Sequence, residues 1–290
     1  MSSTIETLSV PQRTERHETV IHPPSVTSLG LIGNFISLLR YRDMLYTLSV
    51  HRIKVRYKQS ALGILWAILQ PLSIMLVFTL IFSVIVKMPS EGAPYPVFVY
   101  TALLPWTFFS TALSNAANGL VSHSQLITKV YFPREILPLT YVIAALFDFF
   151  IASTILLGLI AYNRMQLTMN ALYAIPIIFV LALFATAVSL VLSAIQVRFR
   201  DVGLALPLLL QLWMFATPVV YPLTAVPAHL RGLYALNPMV GIIESFRRVI
   251  INKSAPDFPA LITSAVVSMI LLVVAYAYFK RTEATMADVI

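Results

Sequence analysis

The sequence has no cysteine and little charge: 11% of its 290 residues are Asp, Glu, Lys or Arg, against 59% hydrophobic. Without cysteine there is no disulfide, thiolate-held metal, iron–sulfur cluster or cysteine nucleophile. The histidines, His17, His22, His51, His123 and His229, are scattered, and no DxxD or HxxxH spacing occurs. The metal set or clustered acids that an enzyme acting on polyprenyl phosphates needs at a membrane face are therefore lacking. No GxxxxGK[ST] phosphate loop is present, so the chain does not use ATP by itself. A soluble domain carries about a quarter charged residues. This composition, with a mean hydropathy of +0.84, belongs in a bilayer. The net charge of +8 invites nucleic-acid binding, but membrane topology accounts for the basic residues better.

What is present in quantity is long charge-free runs. Residues 1–35 are polar and rich in Pro, Ser and Thr, with no apolar core after a basic start, and read as a disordered cytoplasmic tail. Residues 36–290 read as one all-α integral membrane domain. A hydrocarbon core of about 30 Å takes about 20 residues of helix. Six spans are expected, at about 61–86, 96–120, 136–162, 171–197, 202–221 and 259–279, with a kink at Gln70-Pro71 in the first. Six spans put both termini on one side. That side holds all the Lys and Arg except Lys87, Arg164, Arg231, Arg247, Arg248 and Lys253, so the termini are placed in the cytoplasm. Four of these six fall in residues 222–258, on the side the rule disfavours. That segment is either an external cap or a stretch that dips back into the membrane.

Residues 36–58 contain neither Pro nor Gly. At 100° per residue Arg40, Asp43, Thr47, His51, Lys54 and Lys58 fall on one stripe, and Leu38, Tyr41, Leu45, Leu48 and Val55 on the opposite one. This predicts an amphipathic helix at the membrane interface. Arg52 and Arg56, one turn apart, stand on the apolar stripe. They anchor the helix to anionic lipid or, with Lys54 and Lys58, grip a phosphorylated head group through guanidinium forks. Asp148 is the lone acid inside an expected span and needs a counter-charge, water or protein around it. Structural pairing, a place on a wet path and a proton relay are its three readings. The absence of an intramembrane His or Lys argues against the relay.

The ordered set YKQSALGILWAILQP (57–71), LLPWTFFSTAL (103–113), ITKVYFPREILPL (127–139), VRFRDV (197–202) and NPMVGIIESFRRVI (237–250) resembles the permease subunit of type-2 ABC exporters. The likeness is to the branch that moves lipid-linked polysaccharides such as O-antigen, capsule or teichoic acid. It implies a homodimer with six spans per subunit, bound to two ABC ATPase subunits that carry ATP and Mg, in the cytoplasmic (inner) membrane. It implies that an undecaprenyl-diphosphate-linked glycan enters beside the interface helix, its diphosphate neutralised by Arg52 and Arg56 with Lys54 or Lys58. A type-2 permease for a small lipid or drug shares the architecture.

The resemblance also gives roles to three further groups. A short helix over 125–132, stopped by Pro133, becomes the lever on the ATPase, with Lys129, Tyr131, Phe132, Pro133, Arg134 and Glu135 as its contacts; an ordinary basic loop reads the same way. Trp66, Tyr100, Trp106, Phe108, Phe109, Trp213, Phe215 and Tyr221 become candidates for an aromatic glycan conduit, against the alternative of interfacial belt and core packing. Residues 222–258 become a pair of re-entrant helices gating the outer end, with Asn237, Pro238, Glu244, Arg247 and Arg248 in the second. Glu244 stands four before Arg248, an ion-pair spacing.

Overall fold

The computed structural model of the chain describes residues 40–58, 60–130 and 132–289. The expected tail and Tyr131 lie outside them. Among the described residues all regular structure is helical. In chain order the helices are α1 (Arg42–Lys58), α2 (Gly63–Ile85), α3 (Tyr95–Ser122), α4 (Ser124–Lys129) and α5 (Ile136–Tyr162), followed by α6 (Ala174–Arg198), α7 (Asp201–Phe215), α8 (Arg231–Ala235), α9 (Pro238–Ile250) and α10 (Phe258–Val289).

Five of these, α2, α3, α5, α6 with its leading 3₁₀ turn, and α10, are long and apolar enough to cross a membrane. The bounds of the first four follow the charge-free runs closely, whereas α10 runs ten residues past the expected end at 279, to Val289. The fifth expected span is the exception: α7 has 15 residues, about 22 Å at 1.5 Å each, and falls short of the hydrocarbon core. Its apolar sequence continues to Val220, but Pro218 has no N–H to give and disfavours helix at Thr217 before it. The chain turns instead. The first of these helices is uneven along its length: it opens on a 3₁₀ turn at Gly63–Leu65, runs as α-helix through Pro71, and ends in a π-helical stretch at Thr79–Ile85.

Helix α3 is the centre of the bundle. Of its most apolar stretch 78% is buried, more than in any of the other four long apolar helices, the pattern of a helix enclosed by others. Helices α5 and α6 pack on it, α10 packs along α6, and α2 lies against α3 and α5. By contrast α2 leaves Leu76, Leu80, Val84 and Ile85 exposed. Close approach is bought by small residues: at Gly241 in α9 an added Cβ would sit 2.7 Å from the Ala260 carbonyl oxygen of α10.

A second apolar cluster sits where α3 ends and α5 begins. Leu120, Ile127, Phe132, Ile136, Phe279 and Met286 are among its members, and Tyr41 together with Leu45 and Leu48 of α1 packs against it. Helix α1 therefore lies on α5 with Leu45 and Leu48 of the expected apolar stripe inward, while Val55, the last of that stripe, is exposed, Leu38 lies outside the described residues, and Asp43, Thr47, His51, Lys54 and Lys58 face outward.

Candidate functional site

The seam between α1 and α5 is where the two stripe-breaking arginines go. Arg52 donates from Nε to Thr140 Oγ1 at 2.6 Å and stacks its guanidinium 3.6 Å from the Tyr141 ring centroid. Burial pulls its pKa down, partly offset by Tyr141, but a guanidinium of this kind stays charged. The far side of this cluster is His123, whose ring meets Tyr141 edge-on and whose Nδ1 lies 3.0 Å from the Gly119 carbonyl oxygen. Glycine is needed there because a Cβ would collide with Tyr141. Burial and the nearby Arg52 hold His123 below its ordinary pKa, so it is neutral at pH 7.

One turn further on, Arg56 forms an ion pair through Nη1 with Asp148 Oδ2, and the Tyr57 hydroxyl donates to Asp148 Oδ1. The lone acid of the expected spans thus has a cation on one oxygen and a hydroxyl on the other. The four basic residues expected to act together divide in two. Arg52 and Arg56 point into the seam, whereas Lys54 and Lys58 stand on the exposed face about 200° away from Arg56.

Beside the Arg56–Asp148 pair a cavity of about 220 Å³ opens, walled by Tyr57 of α1, Trp66 and Gln70 of α2, Thr107, Phe108 and Thr111 of α3, and Phe149 of α5. Trp66 and Gln70 belong to the opening turns of α2, whereas Thr107, Phe108 and Thr111 stand midway along α3 and Asp148 and Phe149 midway along α5, so the cavity lies beside the start of α2 at the mid-length of the other two helices. Arg56, Trp66 and Phe108, drawn from two separate expectations, meet here. Tyr57, Gln70, Thr107 and Thr111 were not foreseen; the adjacency of Tyr57 to Arg56 was the one available hint.

The aromatic conduit set separates by burial. Tyr100 and Phe109 are 0% exposed, the first donating from its hydroxyl to the Ala152 carbonyl, the second stacked on Phe184 at 5.2 Å. Trp106 and Trp213 pack edge-on into the same group, which ties α3, α6 and α7 together. In this conformation a sugar ring reaches neither Tyr100 nor Phe109, and Phe108, which lines the cavity, is 3% exposed. Trp66 and Phe215 are the exposed members, and Tyr221 is half-buried, its hydroxyl donating to the Phe215 carbonyl.

The expected lever also divides. Helix α4 ends at Lys129, earlier than expected, and leaves Gln125, Thr128, Lys129 and Val130 exposed. Phe132 is an inward-facing core residue and Glu135 is 0% exposed, so neither is a surface contact in this conformation. Glu135 instead accepts from Lys280 Nζ at 2.8 Å and from the Tyr276 hydroxyl at 3.1 Å. Lys280 bridges on to Glu283 at 2.8 Å, and Glu283 accepts from the Arg134 backbone N–H at 3.0 Å. Beside the half-buried Pro133, the strand of chain after α4 is thereby fastened to α10. Lys280, read in sequence only as a topology marker, is the centre of this network.

At the opposite end α9 is capped as its sequence suggests: Asn237 accepts from the Met239 backbone N–H at 3.1 Å, and Pro238 takes the first helical position. The expected Glu244–Arg248 pair is replaced. Arg248 reaches Asp257 at 3.6 Å, and Glu244 Oε2 is buried with no hydrogen-bond partner among the described residues. Arg247 is 1% exposed, donates to the carbonyls of Pro218, Val219 and Tyr221, and lies 3.9 Å from the Phe98 ring centroid.

The six basic residues that the positive-inside rule left unexplained all have local work. Lys87, Arg164 and Lys253 take left-handed backbone conformations just past the ends of α2, α5 and α9, where cations are favoured by the helix dipole. Arg231 donates to the carbonyls of Thr224 and Val226, and Arg247 and Arg248 are placed as above.

Comparison with known proteins agrees with this architecture. The family model described as "ABC-2 type transporter" matches residues 44–251. The O-antigen export system permease protein RfbA of Myxococcus xanthus is 35% identical over 255 residues, covering 87% of this chain and 96% of that protein. A protein of the same name from Klebsiella pneumoniae is 26% identical over 249 residues, 86% of this chain and 95% of its own. The polysialic acid transport protein KpsM of Escherichia coli is 26% identical over 245 residues, 82% and 93% of the two chains. On the extent of the family match and the identity to the Myxococcus permease, the chain belongs to the ABC-2 type transporter family.

Proposed function

We propose that this chain is the membrane subunit of an ATP-driven exporter that moves an undecaprenyl-diphosphate-linked polysaccharide across the cytoplasmic membrane. It works as two copies bound to two ABC ATPase subunits, and its termini are cytoplasmic. Its relatives are named for O-antigen export and polysialic acid transport, which supports a glycan cargo. The family match supports an ATPase partner. The exposed surfaces of α2 and of α7, where Leu204, Leu208 and Leu212 stand free, suit contact with a second copy or with lipid. Counting α7 as a crossing rests on the position of the chain after it, because the carbonyls at 218–221 are held by Arg247 beside Phe98 in the first turns of α3. On this reading residues 222–258 close the outer end, and the exposed tip of α4 meets the ATPase.

The observation that carries the cargo assignment is the cavity that brings Arg56 together with Trp66 and Phe108 near the start of α2. Arg56 grips the diphosphate, Arg52 fixes α1 to α5, and Lys54 and Lys58 supply a positive outer face that attracts the anionic lipid. Removing Arg56 alone would strand Asp148, so the pair is best removed as a unit. Arg56→Gln with Asp148→Asn is expected to leave assembly with the ATPase intact and to lower export about tenfold, the loss of one charge-assisted contact. Wild-type export by this double variant, measured as glycan at the cell surface, would show that the diphosphate is held elsewhere.

A further inference from the structure

We propose that the cavity beside Arg56 is a subsite for the single sugar joined directly to the lipid diphosphate. The inference rests on the cargo reading above and adds a specificity that the reading does not contain. A pocket for an acyl or prenyl tail would be apolar throughout. This one presents a carboxylate, a carboxamide and three hydroxyls, from Asp148, Gln70, Tyr57, Thr107 and Thr111, with the large indole of Trp66 on one wall. Polyols are recognised by such a mixture: acceptors and donors for the hydroxyls around a flat face for the ring.

The position of Arg56 suits the sugar next to the phosphate. The Arg56 side chain keeps 39% of its exposure while paired with Asp148, so an anion can lie against the guanidinium without breaking the pair. A phosphate in that position directs the sugar bonded to it into the adjoining space. Each Asp148 oxygen already accepts one bond, from Arg56 or from Tyr57, and each retains a further lone pair for a sugar hydroxyl. The volume of about 220 Å³ is on the scale of one sugar ring. The site therefore reads the linkage sugar and leaves the repeating units of the polymer unread.

Gln70 and Trp66 are the residues to change, since both are exposed and neither supports the core. Binding to the complete complex with the ATPase, in nanodiscs, is measured for three probes: undecaprenyl diphosphate, the same lipid carrying one hexose or N-acetylhexosamine, and phosphatidylglycerol. The glycosylated lipid is expected to bind at least tenfold more tightly than the bare diphosphate. Trp66→Ala and Gln70→Ala are expected to remove that preference while leaving the affinity for the bare diphosphate within about twofold of wild type. Equal binding of both undecaprenyl lipids, unchanged in the variants, would overturn the subsite and leave the cargo reading standing. Phosphatidylglycerol binding as tightly as the glycosylated lipid would identify an ordinary phospholipid site and also overturn it. Failure of both undecaprenyl lipids to bind would remove the diphosphate contact at Arg56, and the subsite with it.

Discussion

Arg247→Met is expected to abolish folded protein, seen as loss of the monodisperse peak after solubilisation and of any cooperative thermal transition. The side chain is 1% exposed and forms no ion pair among the described residues; its hydrogen bonds go to backbone oxygens at 2.8 Å (Pro218), 2.5 Å (Val219) and 3.3 Å (Tyr221). Methionine fills much of the volume but donates nothing. A buried acceptor left unpaired costs about 1–3 kcal/mol, so three approach the roughly 5–15 kcal/mol that is the whole net stability of a typical domain. The loop after α7 would then lose its anchor on Phe98. Arg247→Lys should fall between, because an ammonium cannot span three carbonyls in a plane. A wild-type melting temperature for Arg247→Met would show that the loop is held by other contacts, such as the Tyr95 hydroxyl on the Val220 carbonyl.

The second large effect is expected at the other end of the bundle. Lys280→Met leaves Glu135 and Glu283 facing one another with 1% and 10% of their side chains exposed. Breaking a buried pair by removing one partner costs about 3–5 kcal/mol. The pKa of Glu135 is already raised, first by burial and then by Glu283, with Lys280 opposing. Without Lys280 it rises further. A carboxyl whose folded pKa lies above its unfolded value binds its proton more readily when folded, so stability grows as pH falls. The variant should therefore melt at a higher temperature at pH 5 than at pH 7, and adding Glu135→Gln should recover most of the loss at pH 7. If Lys280→Met melts as wild type does at pH 7, the network is not what fastens the chain after α4 to α10.

Much of this was legible in the chain. Charge-free runs matched the bounds of four long apolar helices almost to the residue, because in a bilayer apolar length is itself the constraint. The stripe of α1 held at Tyr41, Leu45 and Leu48 but not at Val55, and Arg52 and Arg56 on its apolar side are the residues that pair with α5. Their partners were not legible. Asp148 lies 92 residues beyond Arg56, and Lys280 lies 145 beyond Glu135. Helical periodicity relates neighbours within two turns and is silent at such separations. Local spacing was also overridden by tertiary geometry: Glu244 and Arg248 are one turn apart, yet the turn after α9 brings Asp257 to Arg248. The length of α7 was misjudged because composition counts apolar residues, whereas the backbone obeys Pro218. The aromatic set shows the same limit, since Phe109 and Trp66 are alike in hydropathy and opposite in exposure.

The account stands most directly on one transport measurement. The chain and its ATPase are reconstituted together in vesicles loaded with a labelled undecaprenyl-diphosphate-linked glycan, and the label reaching the opposite leaflet is followed with a glycan-cleaving enzyme that cannot cross. The predicted result is ATP-dependent appearance of cleavable glycan, abolished when the ATPase subunit cannot hydrolyse ATP and reduced in the Arg56→Gln/Asp148→Asn variant. A complex that hydrolyses ATP and moves a small lipid or drug, but leaves the glycan where it was loaded, would contradict it.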